Sequence, residues 1–333
     1  MSELNISLSP HAKDPIDVQK IMWGVIIALV PSFLFSIYFY GIRSITVTAV
    51  AVVSCVFFEY AIDLWLFKRD TSIGDGSAAI TGVLLAFNLP SSIPIWQIII
   101  GSLVAIGIAK MTFGGLGNNP FNPALVGRCF MIVSFPADMT TWPVPIKTAW
   151  IWNVDAITAA TPLSIIKEGV NGGESVASLM NKIPSYFDMF IGNVGGCIGE
   201  VSALAILIGG IYMIYKKIIT WHIPVFYLGA LFVFAGIFWA IDPSKYADPI
   251  FHILTGGVML GAWFMATDMV TSPMSTKGQI IYAIGGGVIC AAIRLFGSYP
   301  EGCSFSILIM NALVPLIDKY VKPSRFGKEV NFG

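Results

Sequence analysis

Polar positions along this chain are mostly confined to short gaps between long apolar runs. A helix that crosses the hydrocarbon of a bilayer needs about 20 mostly apolar residues. Seven runs meet that length: Ile21–Tyr40, Ser44–Phe67, Ile93–Ala109, Met189–Tyr215, Ile223–Ile241, Gly278–Leu295 and Ser304–Val321. Three shorter runs, Gly76–Leu89, Pro120–Phe135 and Pro249–Thr267, complete the set; the first two are bounded by Gly or Pro and are short for a full crossing. The pattern predicts an all-α polytopic membrane protein of about ten transmembrane helices. The residues before Lys20 are polar and no small-residue cleavage pattern follows the first run, so that run reads as a retained anchor rather than a signal peptide.

Composition agrees with this reading. Of 333 residues, 56% are apolar and 11% charged, 19 basic against 19 acidic. An ordinary soluble domain carries about 25% charge, and a chain this poor in charge cannot cover soluble surfaces. A soluble enzyme, a disordered chain and a secreted disulfide scaffold are excluded, and zero net charge gives no basic field for nucleic acid. The five Cys are scattered with no CxxC spacing, and the three His are dispersed, so neither suggests a metal or iron–sulfur centre. His222, after Lys216, Lys217 and Trp221, reads as interfacial, and the Trp and Tyr residues fit interfacial belts.

Charge asymmetry orients the spans. With the N-terminus inside, inner loops hold Lys68, Arg69, Lys110, Lys216, Lys217 and Lys277, with Lys319, Lys322, Arg325 and Lys328 in the tail. The short outer loops are poorer in Lys and Arg, which predicts both termini in the cytoplasm. The organisation is then a cytoplasmic segment 1–20, a first five-helix repeat 21–135, an extracytoplasmic loop 136–188, a second five-helix repeat 189–321 and a cytoplasmic tail 322–333. Five spans per half invert the second half relative to the first, an arrangement common in transporters. Ile80-Thr81-Gly82-Val83-Leu84 and Leu254-Thr255-Gly256-Gly257-Val258 recur in order, each followed by a Phe-Gly loop, Phe113-Gly114-Gly115 and Phe296-Gly297-Ser298.

The long loop holds Asp155-Ala156-Ile157-Thr158-Ala159-Ala160-Thr161-Pro162-Leu163. Thr161 before Pro162 is a strong helix start, with threonine as N-cap and proline at the first helical position. The short helix Pro162–Glu168 is expected to stop at Gly169. Free N–H groups and the positive dipole end of a helix start suit a phosphate, although any loop helix can begin this way.

Inside the spans, Glu59 and Asp63 share a face of the second helix, Glu200 falls in the sixth, and Arg128 and Arg294 lie in late helices of the two halves. A charge at mid-bilayer costs about 2.5–3.5 kcal/mol on insertion scales. Asp63, close to Lys68 and Arg69, reads as surface-placed. Glu59 and Glu200 read either as an ion path or as structural partners of an Arg. The loop Gly114–Ala124, rich in Gly, Asn and Pro, lines a flavin or an ion, or simply caps a buried half-helix.

Asp155-x-x-Thr158-x-Ala160-Thr161 resembles the covalent FMN acceptor motif of the RnfD/NqrB family: membrane subunits of the Rnf complex and of the Na⁺-translocating NADH:quinone oxidoreductase. Ser9-Pro10-His11 and Thr112–Ala124 resemble further signatures of the same family, in matching order over nearly the whole chain. The resemblance maps the acceptor onto Thr161, with Asp155 and Thr158 at positions read by a flavin transferase; Ala156 stands where many members have Gly. The short lead into the first span is closer to the RnfD branch than to the NqrB branch.

The resemblance implies a urea-transporter-like fold of two inverted repeats, FMN joined by a phosphoester to Thr161, and a second, non-covalent riboflavin in related members. It implies electron flow between ferredoxin and NAD⁺ coupled to Na⁺ or H⁺ translocation at the bacterial cytoplasmic membrane. The implied partners are ferredoxin-side and NADH-side subunits, a second FMN-carrying subunit, membrane lipid and the transferase. No GxGxxG after a strand and no cysteine cluster is present, so binding of NADH or ferredoxin falls to partners. The rival expectation is a small-solute channel or transporter of inverted-repeat fold with no redox role.

Overall fold

A computed structural model of the chain describes residues 17–143, 160–200 and 202–322, and all the regular elements among them are helices. The first half runs α1 (Val18–Tyr40), α2 (Ile42–Ala61, continued by a π-helical turn Ile62–Phe67), α3 (Ser77–Phe87), α4 (Ile95–Leu103, continued by a π-helical turn Val104–Lys110) and α5 (Pro123–Ser134). Four short helices follow: α6 (Pro136–Met139), α7 (Pro162–Asn171), α8 (Val176–Met180) and α9 (Tyr186–Ile191). The second half runs α10 (Ala203–Tyr215), α11 (His222–Ile241), α12 (Pro249–Leu254), α13 (Val258–Leu260, continued by a π-helical turn Gly261–Met265), α14 (Thr276–Phe296) and α15 (Cys303–Tyr320).

Among the described residues six helices are long and apolar enough to cross a membrane: α1, α2 and α4 with their extensions, α11, α14 and α15. Helices α3, α5 and α10 are apolar but shorter. The chain has the build of a polytopic membrane protein, and the distribution of side chains shows why. Along α1 the large residues Trp23, Ile27, Val30, Leu34 and Tyr38 are exposed, while Gly24, Ala28, Ser32 and Ser36 are buried. Large apolar groups suit lipid, and small ones let helix backbones approach. At the α1–α10 crossing a Cβ on Gly209 would lie 2.0 Å from the Ala28 carbonyl oxygen. At the α11–α14 crossing one on Gly287 would lie 2.4 Å from the Tyr227 carbonyl oxygen. Glycine is required at both.

Two expected spans are interrupted. The run Met189–Tyr215 is not one helix: α9 ends at Ile191, and α10 begins only at Ala203. The intervening Gly192, Gly195, Gly196 and Gly199 keep the run apolar but weaken helix propensity. Glu200 therefore sits in a turn before α10, not within a helix. The run Pro249–Thr267 breaks at Thr255-Gly256-Gly257 between α12 and α13, where Gly256 has a φ of 71°. The matching Thr81-Gly82 in the first half lies inside a continuous α3, so the sequence likeness does not extend to the break.

The described part of the expected loop 136–188 is largely helical. Leu163 and Ile166 of α7 pack with Val176, Leu179, Met189 and Phe251 in a small apolar core of their own. Helix α7 runs on to Asn171, past the expected stop at Gly169. Gly169 packs against Leu179 within the helix, and the termination falls instead at Gly172 and Gly173.

Candidate functional site

Thr161 is the N-cap of α7, as the Thr-Pro pair predicts. Its Oγ1 accepts from the Ser164 backbone N–H at 3.2 Å and lies 2.5 Å from Ser164 Oγ. The side chain opens on a cavity of about 340 Å³ enclosed by the loop helices and the interruptions before α10 and between α12 and α13. Its walls include Trp142, Leu163, Met189 and Leu254, and its polar edge is formed by Thr255, Glu200 and Glu301. This volume is within the range of small-molecule sites, and mostly apolar walls with a few convergent polar groups are their usual composition. Asp155 and Thr158 lie outside the described residues.

Glu200 and Glu301 at the cavity's edge belong to a charge cluster that holds the broken helix open. Arg294 Nη1 and Nη2 donate to the His252 and Thr255 carbonyls, at 2.5 and 2.9 Å, at the C-terminal end of α12. Glu301 accepts from the Gly257 N–H at the start of α13. A cation at carbonyl ends and an anion at amide ends complement the two half-helix dipoles. Arg128, from α5 in the other half, donates to Glu301 and, at 2.5 Å, to Asn88 Oδ1, and faces Glu200 Oε1 at 3.8 Å. A Cβ on Gly257 would lie 2.6 Å from Glu301 Oε1 and 2.8 Å from Glu200 Oε1, so both carboxylates converge on that glycine. Glu200 lines the cavity, and its Oε1 is buried with no hydrogen-bond partner among the described residues. For Glu200, pairing with an Arg was one of the two expectations, and Arg128 is that partner.

A second polar network lies at the opposite ends of α1 and α10. Lys110 Nζ donates to Glu59 Oε2 at 2.5 Å and to Ser77 Oγ at 2.6 Å; Lys110 is 2% exposed and Glu59 fully buried. Ser72 Oγ lies 2.7 Å from both Glu59 Oε1 and Asp63 Oδ2, so its single proton serves one carboxylate at a time. Asp63 accepts from Arg69 Nε at 2.8 Å. Its pairing follows from the nearby Arg69, but the side chain is buried rather than at the surface. Lys110 is likewise not a loop charge, and it is the partner of Glu59 in place of an Arg. Asp63 and Lys110 both lie in π-helical turns, which rotate the following residues off the α-helical register and often mark functional positions.

This network borders a cavity of about 80 Å³ with mostly apolar walls, among them Met22, Ile80, Leu84 and Phe264, into which Ser77, Lys110, Asn119, Asn122 and Asp268 bring polar groups. That volume is below the usual range of small-molecule pockets. The Asn-rich loop thus both lines a cavity and caps a helix: Asn122 Oδ1 accepts from the Ala124 and Leu125 N–H groups, and its Nδ2 donates to the Met265 carbonyl. Glu301, Lys110 and Ser72 were not singled out by sequence reasoning. The available signal for Glu301 was a lone acid in the Gly/Pro loop of the second half, at the place the Asn-rich loop takes in the first.

Interrupted apolar helices, buried ion pairs bridging the two halves and a loop-covered cavity at one end of the bundle are the build of a polytopic membrane protein. The family model for the NQR2, RnfD, RnfE family matches residues 5–327, and the chain belongs to that family. It is 47% identical over 331 residues to the D component of the Na(+)-translocating ferredoxin:NAD(+) oxidoreductase complex of Acetobacterium woodii, covering 98% of this chain and 97% of the relative. It is 44% identical to the D component of the proton-translocating ferredoxin:NAD(+) oxidoreductase complex of Clostridium ljungdahlii, covering 97% of this chain and 96% of the relative. It is 35% identical to the D component of the ion-translocating oxidoreductase complex of Pectobacterium carotovorum, covering 97% and 98%.

Proposed function

We propose that this chain is the RnfD component of an ion-translocating ferredoxin:NAD⁺ oxidoreductase and carries electrons through FMN esterified to Thr161. The observation that carries the reading is the Thr161 hydroxyl, an N-cap that opens on a cavity of about 340 Å³. When bound, FMN supplies a one- or two-electron carrier. The chain's own residues do the rest: Thr161 provides the ester oxygen, the Ser164 N–H and hydroxyl stand ready for the phosphate, and the apolar walls exclude water. An unaided threonine is a weak nucleophile, so attachment needs a flavin transferase, and Asp155 and Thr158 are the motif positions it reads. A second, non-covalent riboflavin accompanies the FMN in this reading, with no residues assigned to it.

The finer architecture in this reading is a ten-crossing, urea-transporter-like bundle of two inverted repeats. Its support is the recurrence of packing partners: α2 packs on α3 and α4, and α4 on α5, as α11 packs on α12 and α14, and α14 on α15. Both termini are cytoplasmic and the Thr161 cavity faces outward from the bacterial cytoplasmic membrane, as the Lys and Arg distribution supports. Ferredoxin-side and NADH-side subunits and a second FMN-carrying subunit complete the electron path. The relatives are named for different ions, and the transported ion here is Na⁺ or H⁺. Moving one charge against 100 mV costs about 2.3 kcal/mol, which a two-electron drop of about 50 mV matches.

The test is fluorescence of the denatured band on a gel after coexpression with the transferase. Native chain is expected to glow under ultraviolet light and Thr161→Ala to be dark while still inserted in the membrane. The lost N-cap costs only about 1 kcal/mol. A dark native band, or a bright Thr161→Ala band, overturns the proposal.

A further inference from the structure

On the other side of α7 from the Thr161 cavity lies a second cavity, of about 330 Å³, between α7, the turn before α12 and the C-terminal end of α14. Four cationic or ionisable nitrogen side chains line it, Lys167, Lys245, His252 and Arg294, and no acidic residue does. Lys167 donates to the Tyr299 carbonyl at 2.6 Å; partial burial and the neighbouring Arg294 charge lower its pKa, a strain that an anion would relieve. Lys245 is exposed at the rim, with Asp242 beside it but not among the lining residues. His252 is 6% exposed, and neither ring nitrogen has a hydrogen-bond partner among the described residues. A buried imidazole with both nitrogens unpaired among the described residues is free to donate to a ligand in the cavity.

The level of the cavity identifies the source of that partner. Tyr246 and Phe296 line it, and both pack on Phe238, with ring centroids 5.5 and 5.1 Å away. Phe296 is 58% exposed, and Trp239, Ile241 and Tyr299 are exposed nearby. An aromatic collar at the ends of membrane helices marks the headgroup level. We propose that this cavity binds the phosphate of an anionic phospholipid headgroup from the leaflet on the Thr161 side, through Lys167, Lys245, His252 and Arg294. A lipid held there abuts α7 and Arg294, and so buttresses the walls of both the cavity and the helix break.

The test uses the full chain in neutral maltoside detergent, with native mass spectrometry and thermal unfolding as readouts. The probes are dioleoylphosphatidylglycerol, dioleoylphosphatidylcholine and inorganic phosphate. Phosphatidylglycerol is expected to remain as an adduct and raise the Tm, and phosphatidylcholine to do neither. Lys245→Gln and Lys167→Gln should each weaken phosphatidylglycerol binding about fivefold, the factor for one Lys near an anionic surface, whereas Arg43→Gln should not. Lys245 is exposed, so its substitution tests the site even where Lys167→Gln fails to fold. Displacement of the lipid by millimolar phosphate would identify the net anionic charge, which phosphatidylcholine lacks, as the recognised feature and sustain the site. Equal binding of the two lipids, or native-like binding by Lys245→Gln, overturns the proposal.

Discussion

Replacing Lys110 by Met should strand the Glu59 carboxylate. The ammonium lies 2.5 Å from Glu59 Oε2, with the two side chains 2% and 0% exposed. Among the described residues only the Ser72 hydroxyl would remain to donate to Glu59, and Asp63 competes for the same proton. Removing one partner of a buried pair costs about 3–5 kcal/mol. Glu59→Gln should cost a similar amount, because Lys110 would keep its charge with only Ser77 as acceptor. The double variant Lys110→Met/Glu59→Gln removes both charges and should fall far short of the additive value, about 6–10 kcal/mol, since replacing both partners of a buried pair is often near neutral. Unfolding in mixed maltoside–dodecyl sulfate micelles, followed by Trp fluorescence, measures the cycle. Single variants each within about 1 kcal/mol of the native chain, with an additive double, would mean a hydrated, screened pair and would refute the reasoning.

Three further outcomes are expected. Gly209→Ala should destabilise by more than the about 1–3 kcal/mol of ordinary overpacking, because its Cβ meets the Ala28 backbone oxygen at 2.0 Å; Gly229→Ala, with open space around it, should be neutral or slightly stabilising in the same assay. In a Cys-free background, Asn171→Cys should be labelled by an impermeant maleimide in intact cells and Lys322→Cys should not; the reverse pattern inverts the topology. Glu200→Gln should slow ion transport by the assembled complex while flavin fluorescence of the band persists; native transport rate and ion dependence would leave Glu200 a purely structural partner of Arg128.

The long helices were legible because 20-residue apolar runs have few alternatives, and the start of α7 because Thr-Pro is a local signal that needs no tertiary context. The breaks were not. Gly192 to Gly199 keep the hydropathy of a span, and whether such a stretch stays helical is settled by what packs around it. Gly256-Gly257 likewise opens because Arg294 and Glu301 stabilise the two new helix ends, a long-range arrangement with no local trace. Lys110 follows an apolar run and reads as a loop charge, yet the π-helical turn 104–110 carries it inward onto Glu59. The acids Glu59 and Glu200 were visible by their cost, but their partners required the fold.

The measurement that bears most directly on the central claim is the mass of the peptide carrying Thr161, from chain made alongside a competent flavin transferase. The account predicts one FMN added through a phosphoester, with fragmentation placing it on Thr161 and not on Thr158. An unmodified peptide, or modification at Thr158 with Thr161 free, would contradict it.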